Sequence, residues 1–206
     1  MHIHSLAIRI SAIALSGAAA LAAGCRSAQY VDPKGNDLIV SADRMNIQDW
    51  DKLADQVLQD MMTSGVLTRL PNQPAGVLLN PVINSTTQQF DTDGIMKKIR
   101  IGLLNSGRCE VIMTSGIGGR AEDKIAQSTQ AYKDFQSGKD TAAVNPNNLP
   151  DATLTAKLLE DRARSGGTKQ ISFVLQMSLT NPSTGRAIWE GEARVTKQGE
   201  RSTIGF

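Results

Sequence analysis

Apolar residues recur every three or four positions between residues 47 and 64, which predicts an amphipathic helix over that range. The repeating positions are Ile47, Trp50, Leu53, Ala54, Val57, Leu58, Met61 and Met62. Asn46 is suited to cap the amino end of this helix, and Gly65 is suited to end it. The Met pair and the Trp therefore belong to a core-facing stripe rather than to a ligand site.

A second helix is predicted over residues 92–106, with an apolar face made by Ile95, Ile99, Leu103 and Leu104. Asp91 or Thr92 supplies its cap, and Asn105-Ser106-Gly107 ends it. Residues 118–137 predict a third and more polar helix. Its apolar positions on one side are Ile125, Tyr132 and Phe135.

Five segments predict strands, at residues 76–83, 109–113, 152–160, 170–180 and 186–197. Pro81 places the first of them at a sheet edge or at a bulge. The composition of residues 152–163 also allows a helix, but the turn Ser165-Gly166-Gly167 and the alternating residues beyond it favour a hairpin. Asn181–Gly185 has the chemistry of a second tight turn.

The order of elements is α, β, α, β, α, followed by three consecutive strands. This order predicts an α+β domain in which helices pack on a single mixed sheet that ends in antiparallel hairpins. The globular domain is expected over residues 46–199, followed by a tail at 200–206.

The amino-terminal segment has the pattern of a secretory signal peptide over residues 1–24. Arg9 precedes an apolar and small-residue run that is too short to indicate a membrane-spanning helix. The run ends in Leu21-Ala22-Ala23-Gly24-Cys25, which resembles a lipobox and predicts lipidation of Cys25. The alternative is ordinary cleavage at an Ala-x-Ala site. Residues 25–45 are then the lipidated Cys and a polar tether.

Charge and residue usage narrow the function. The net charge is +2, and no basic stripe indicates nucleic-acid binding. His2 and His4 are the only histidines, and both lie in the predicted signal peptide. A histidine-based catalytic or metal site is therefore excluded from the mature chain if that segment is removed. Cys109 is interpreted as a small buried apolar residue on a strand.

The remaining candidate residues have mainly structural interpretations. Asp91, Thr92 and Asp93 are interpreted as helix starters, and Glu190 and Glu192 as a solvated or ion-paired strand face. Trp189 is expected to pack on the sheet, or to anchor an interface if it is exposed. The segment 116–120 is a glycine-rich loop without the Lys-Ser/Thr of a phosphate-binding loop. We predict no catalytic residue, no cofactor, no metal site and no small-molecule substrate.

Two blocks carry a resemblance to a known family. Residues 84–108 contain Asn-x-Thr, Asp-Thr-Asp-Gly, Lys-Ile-Arg and Leu-Asn-Ser-Gly, and residues 173–192 contain a Thr-Gly-x-x-x-Trp hairpin. Together they resemble the LpoB-type activators of penicillin-binding proteins, which are outer-membrane lipoproteins. The resemblance implies a non-catalytic domain that binds and activates a bifunctional peptidoglycan synthase. Arg26 in place of Asp after the Cys is similar to lipoproteins sorted to the outer membrane.

Two other functions remain open from the residues alone. One is a structural lipoprotein of an envelope assembly, which shares the anchor and the lack of catalytic chemistry. The other is a periplasmic hydrolase that uses a carboxylate pair, either Asp91 with Asp93 or Glu190 with Glu192.

Overall fold

The computed structural model describes residues 28, 30–33, 35, 37–89, 91–112, 124–136 and 150–200. Helix α1 spans Ile47–Ser64 and α2 spans Asp93–Asn105, while α3 covers Lys124–Gln136. The strands are β1 Ala75–Ser85, β2 Cys109–Ile112, β3 Ala152–Ser165, β4 Thr168–Asn181 and β5 Arg186–Glu200. A short 3-10 turn at Val66–Arg69 follows α1.

The five strands form one mixed sheet in the order β2-β1-β3-β4-β5. Strand β1 runs parallel to both β2 and β3, whereas β4 is antiparallel to both β3 and β5. The predicted α+β class with a single mixed sheet is therefore confirmed, as are the hairpins at its carboxyl end. Gly166 has a φ of 56° in the first of these turns, a value that favours glycine.

Helices α1 and α2 cover the same face of the sheet. Helix α1 packs on β4 and β5, and α2 packs on β1 and β2. Side chains from α1, α2, β3 and β4 form one core between the layers. Its largest fully buried members include Leu53, Met61, Ile95, Ile99, Leu103, Leu154, Leu158, Phe173, Leu175 and Leu179. On β4, every second residue from Ile171 to Leu179 is buried in this core, as a strand with one covered face requires.

Glycines allow the two helices to approach each other. A Cβ on Gly94 would lie 2.8 Å from the indole ring of Trp50, and a Cβ on Gly102 would lie 2.5 Å from a methyl carbon of Leu58. Both glycines are on α2, and both partners are on α1. Gly94 and Gly102 of the 84–108 block therefore serve helix packing.

Strand β1 differs from its prediction in length and position. It is longer than residues 76–83 at both ends, and it lies second in the sheet rather than at an edge. The bulge is confirmed, because the pairing with β3 shifts register between Leu79 and Val82. Strand β2 pairs with β1 only as far as Leu78, so Pro81 lies where the missing N–H interrupts no pairing with β2.

Strands β3, β4 and β5 also extend beyond their predicted bounds. Strand β3 continues five residues beyond the predicted Glu160, because its pairing with β4 runs unbroken to the Gly166 turn. The compact unit that contains the sheet begins at Val40. No described helix is long and apolar enough to cross a membrane.

Candidate functional site

The Asn-x-Thr part of the 84–108 block forms a loop directly after β1 that is held by its own side chains. The Asn84 Oδ1 atom accepts hydrogen bonds from the Thr86 backbone N–H at 3.0 Å and from the Thr86 hydroxyl at 2.7 Å. The Asn84 side-chain amide donates to the carbonyl of Gln88 at 2.9 Å. Short polar side chains bonded to nearby backbone in this way fix a turn, so this motif positions Thr87 and Gln88.

Gln88 connects this loop to the segment before α1 and to β3. Its Oε1 accepts from the Met45 backbone N–H at 3.0 Å. Its Nε2 donates to the Asp43 carbonyl and to Glu160 Oε2, each at 3.3 Å. Three parts of the chain that are distant in sequence therefore meet at one amide. Residues 43–46, the loop 84–88, Glu160, Arg162, Asp49 and Lys197 are called the entry cluster below.

The Glu160 carboxylate is the acceptor at one side of the entry cluster. It accepts from Thr87 Oγ1 at 3.0 Å and forms an ion pair with Arg162. Only 3% of the Glu160 side chain is exposed. Burial by itself would raise the pKa of Glu160, but the hydrogen bonds from Arg162 and Thr87 and the Arg162 charge hold it below its ordinary value. Glu160 therefore stays ionised and structural.

Lys197 is the donor at the other side of the entry cluster. Its Nζ donates to Asp49 Oδ2 at 2.7 Å and to Asn46 Oδ1 at 2.8 Å, and also to the Arg44 carbonyl. The Lys197 and Asp49 side chains are 9% and 4% exposed. The same Nζ lies 5.7 Å from the centroid of the Phe173 ring, a cation–π distance. The ammonium group is therefore contacted by two side-chain oxygens, one backbone carbonyl and one aromatic ring.

Asp49 also serves the helix that it belongs to. Its Oδ2 accepts from the Asn46 backbone N–H at 2.8 Å, the reciprocal contact of a capping box. Asn46 is the N-cap residue, and Gly65 ends α1 with a φ of 67°, so both predicted caps are confirmed. The position of Asp49 suits the positive end of the helix dipole.

The predicted carboxylate pairs have structural roles. Thr92 occupies the N-cap position of α2 without a side-chain cap hydrogen bond, and Asp91 before it accepts from the Asp93 backbone N–H at 2.9 Å. Glu190 and Glu192 share the face of β5 opposite the helices. Glu190 accepts from the Ser178 hydroxyl at 3.2 Å, and Glu192 accepts from Gln176 at 2.9 Å and from Arg194 at 3.1 Å.

The face around Glu190 and Glu192 is shallow. The two carboxylates line an open depression of about 390 Å³ together with Gln176 and Ser178. Hydrogen bonds from Gln176 and Arg194 lower the pKa of Glu192, which weakens it as a base and keeps it from acting as an acid at neutral pH. Among the described residues, no group of three or more His, Cys, Asp or Glu is placed to hold a metal ion.

The structure also shows the surroundings of two other residues that the sequence analysis considered. Cys109 is 3% exposed, and burial raises the pKa of its thiol, an effect that a hydrogen bond with Ser106 partly offsets. Cys109 is thus the small buried residue that was predicted. Trp189 packs on the sheet over Gly191, whose added Cβ would lie 2.4 Å from the indole. Cys25 and the segment 116–120 lie outside the described residues.

Sequence reasoning missed the entry cluster. Gln88, Glu160 and Lys197 are far apart in the chain, and none has a local pattern that indicates burial. The one available signal was an acid at the third helical position, Asp49 after Asn46, which marks a capping box.

The geometry defines an α+β domain in which the buried Glu160 and Asp49 carboxylates are ion-paired. The family model for the peptidoglycan-synthase activator LpoB matches residues 49–195, which reach from α1 into β5. The chain belongs to the LpoB family. No curated protein matches its sequence.

Solved structures are similar at low identity. The LpoB C-terminal domain from Salmonella enterica shares 17% identity, with a TM-score of 0.40, and the match covers 71% of this chain and 98% of that one. The LpoB C-terminal domain from Escherichia coli shares 17% identity, with a TM-score of 0.43 and the same coverage. Lipoprotein GNA1162 from Neisseria meningitidis shares 20%, with a TM-score of 0.38, and the match covers 61% of this chain and 85% of that one.

The buried Lys197–Asp49 pair gives a stability prediction. Lys197→Met keeps the length of the side chain but leaves the Asp49 charge buried without its cation, so we expect a loss of about 3–5 kcal/mol in unfolding free energy. Urea unfolding followed by tryptophan fluorescence measures this loss. The matched control is Lys157→Met on the exposed face of β3, which should change stability by no more than ~0.5 kcal/mol. Equal losses in the two variants would contradict a stabilising role for the pair.

Glu160 gives a prediction about pH. The pKa of Glu160 in the folded chain is below the ordinary 4.5. Its contribution to the unfolding free energy is therefore complete above that value and is lost as the pH falls through the folded-state pKa. We expect Glu160→Gln to lose about 1–3 kcal/mol of unfolding free energy at pH 7. The difference in unfolding free energy between this variant and the unsubstituted chain, the gap, should narrow toward pH 3. Urea unfolding across this range, with the exposed Glu110→Gln as control, measures the gap. A gap that is constant with pH would refute the assignment.

Proposed function

We propose that this chain is an outer-membrane lipoprotein, anchored through Cys25, that binds a bifunctional peptidoglycan synthase in the periplasm and activates it without catalysis of its own. The observation that carries the proposal is the match of the LpoB activator family to residues 49–195. The anchor is supported by the signal-peptide pattern of residues 1–24 and by the small residues before Cys25.

The chemistry of the described residues supports a binding role. The Glu160 and Asp49 carboxylates of the entry cluster are engaged in hydrogen bonds and ion pairs, and hydrogen bonds from Gln176 and Arg194 lower the pKa of Glu192. An acid or base poised near neutral pH is what an enzyme of the hydrolase class would need. An activator needs only a surface that binds an active state of its partner more tightly than an inactive one.

The entry cluster limits how far the domain reaches from the membrane. The compact unit begins at Val40, and Met45 is hydrogen bonded to Gln88. Residues 26–39 then remain as the tether, and they span at most about 50 Å at ~3.6 Å per residue. The proposal therefore includes a synthase whose periplasmic part extends toward the outer membrane to meet the domain.

A reconstituted assay tests activation. We expect the mature chain to raise the rate of glycan polymerisation or peptide crosslinking by a bifunctional synthase from the same cell, with saturation as the chain is titrated. The chain alone should turn over none of the lipid-linked precursor. An unchanged synthase rate at saturating chain would overturn the proposal, and so would turnover by the chain alone.

Anchoring is tested separately in cells. Cys25→Ala should abolish incorporation of labelled palmitate and release the chain from the membrane fraction into the soluble periplasm. Cys109→Ala is the matched control, because that thiol is buried in the domain, and it should leave both label and fractionation unchanged. Retention of Cys25→Ala in the membrane fraction would contradict a lipid anchor at this residue.

A further inference from the structure

Strand β5 is a long and regular sheet edge. It pairs with β4 on one side, and no other strand of the described chain pairs with its opposite side. Its 15 residues contain no proline, and the register shift against β4 is confined to its beginning, between Ala187 and Trp189. An edge of this kind presents a row of backbone N–H and C=O groups that is suited to accept another strand.

The charges of β5 determine which strand suits that edge. Glu190, Glu192 and Arg194 follow one another on the exposed face opposite the helices. When a strand pairs with a copy of itself about a two-fold axis, the residue on the axis lies opposite itself. An axis at Arg194 therefore places two like charges in contact, which destabilises the pairing. An axis at Glu192 also places two like charges in contact, although Glu190 then lies opposite Arg194.

An axis at Ala193 instead places opposite charges next to each other. Glu192 of one copy then lies opposite Arg194 of the other, and by symmetry the same contact forms twice. Between residues 188 and 198 this register places no two like charges opposite each other. Glu192 and Arg194 of one copy form an ion pair with each other at 3.1 Å, and they are 43% and 62% exposed, so both side chains also remain accessible to a partner.

We propose that two copies of this chain associate through antiparallel pairing of their β5 edges about Ala193. The five-stranded sheets join into one continuous sheet of ten strands. In this register opposite residues lie on the same face, so the helical layers of both copies lie on the same side. The opposite face becomes one wide polar surface. This association is independent of binding to a synthase.

Charge reversal tests the proposal in solution. Sedimentation equilibrium of the full chain in detergent should show a reversible dimer. Glu192→Arg places like charges opposite each other twice, and so does Arg194→Glu. Each should raise the dimer dissociation constant about tenfold or more. The combined Glu192→Arg and Arg194→Glu exchange restores opposite charges and should restore the dimer.

Circular dichroism on each variant shows that folding is retained. A chain that stays monomeric up to its solubility limit would overturn the proposal, and so would an exchanged pair that is as weak as either single variant.

Crosslinking tests the register. Residues directly opposite each other have Cβ atoms about 4.5–5.5 Å apart, whereas diagonal ones are about 7–8 Å apart. A mixture of Glu192→Cys chains and Arg194→Cys chains should form a covalent dimer under mild oxidation. Glu192→Cys alone is the matched control and should not, because the two copies of residue 192 are diagonal. Equal crosslinking in the mixture and in the control would refute the Ala193 axis.

Discussion

The fold depends on one buried ion pair that joins the first helix to the last strand. Lys197 on β5 and Asp49 on α1 are both almost fully removed from water. Such a pair costs desolvation energy that is offset only when every remaining donor and acceptor is satisfied. Here Asn46, the Arg44 carbonyl and the Phe173 ring surround the ammonium group. The pair thus fixes the amino end of α1 over β5, and with it the layer of helices over the core.

The same contacts determine how the chain enters the domain. Residues 43–46 are held by Gln88 from the loop after β1 and by Lys197 from β5. The family block at residues 84–108 supplies the loop that positions Gln88 and the two glycines that let α2 approach α1. These parts of the block therefore contribute to architecture.

All four carboxylates of the predicted catalytic pairs are exposed. The buried Glu160 and Asp49 carboxylates, by contrast, are ion-paired with Arg162 and Lys197. The pairs Asp91/Asp93 and Glu190/Glu192 were the candidates for hydrolysis. The first starts a helix, and the second lies on an open strand face beside Gln176 and Arg194.

The sequence by itself determined the elements and their class. The repeats around Leu53 and Ile99, the turns at Gly166 and Gly185 and the buried Cys109 followed from local periodicity and turn chemistry, because these forces act between near neighbours in the chain. Only the tertiary structure placed β1 inside the sheet and brought Gln88, Glu160 and Lys197 to the entry of the domain. Strand order and the burial of a charge depend on which distant segments meet, and contacts between distant segments leave no periodic trace in the sequence.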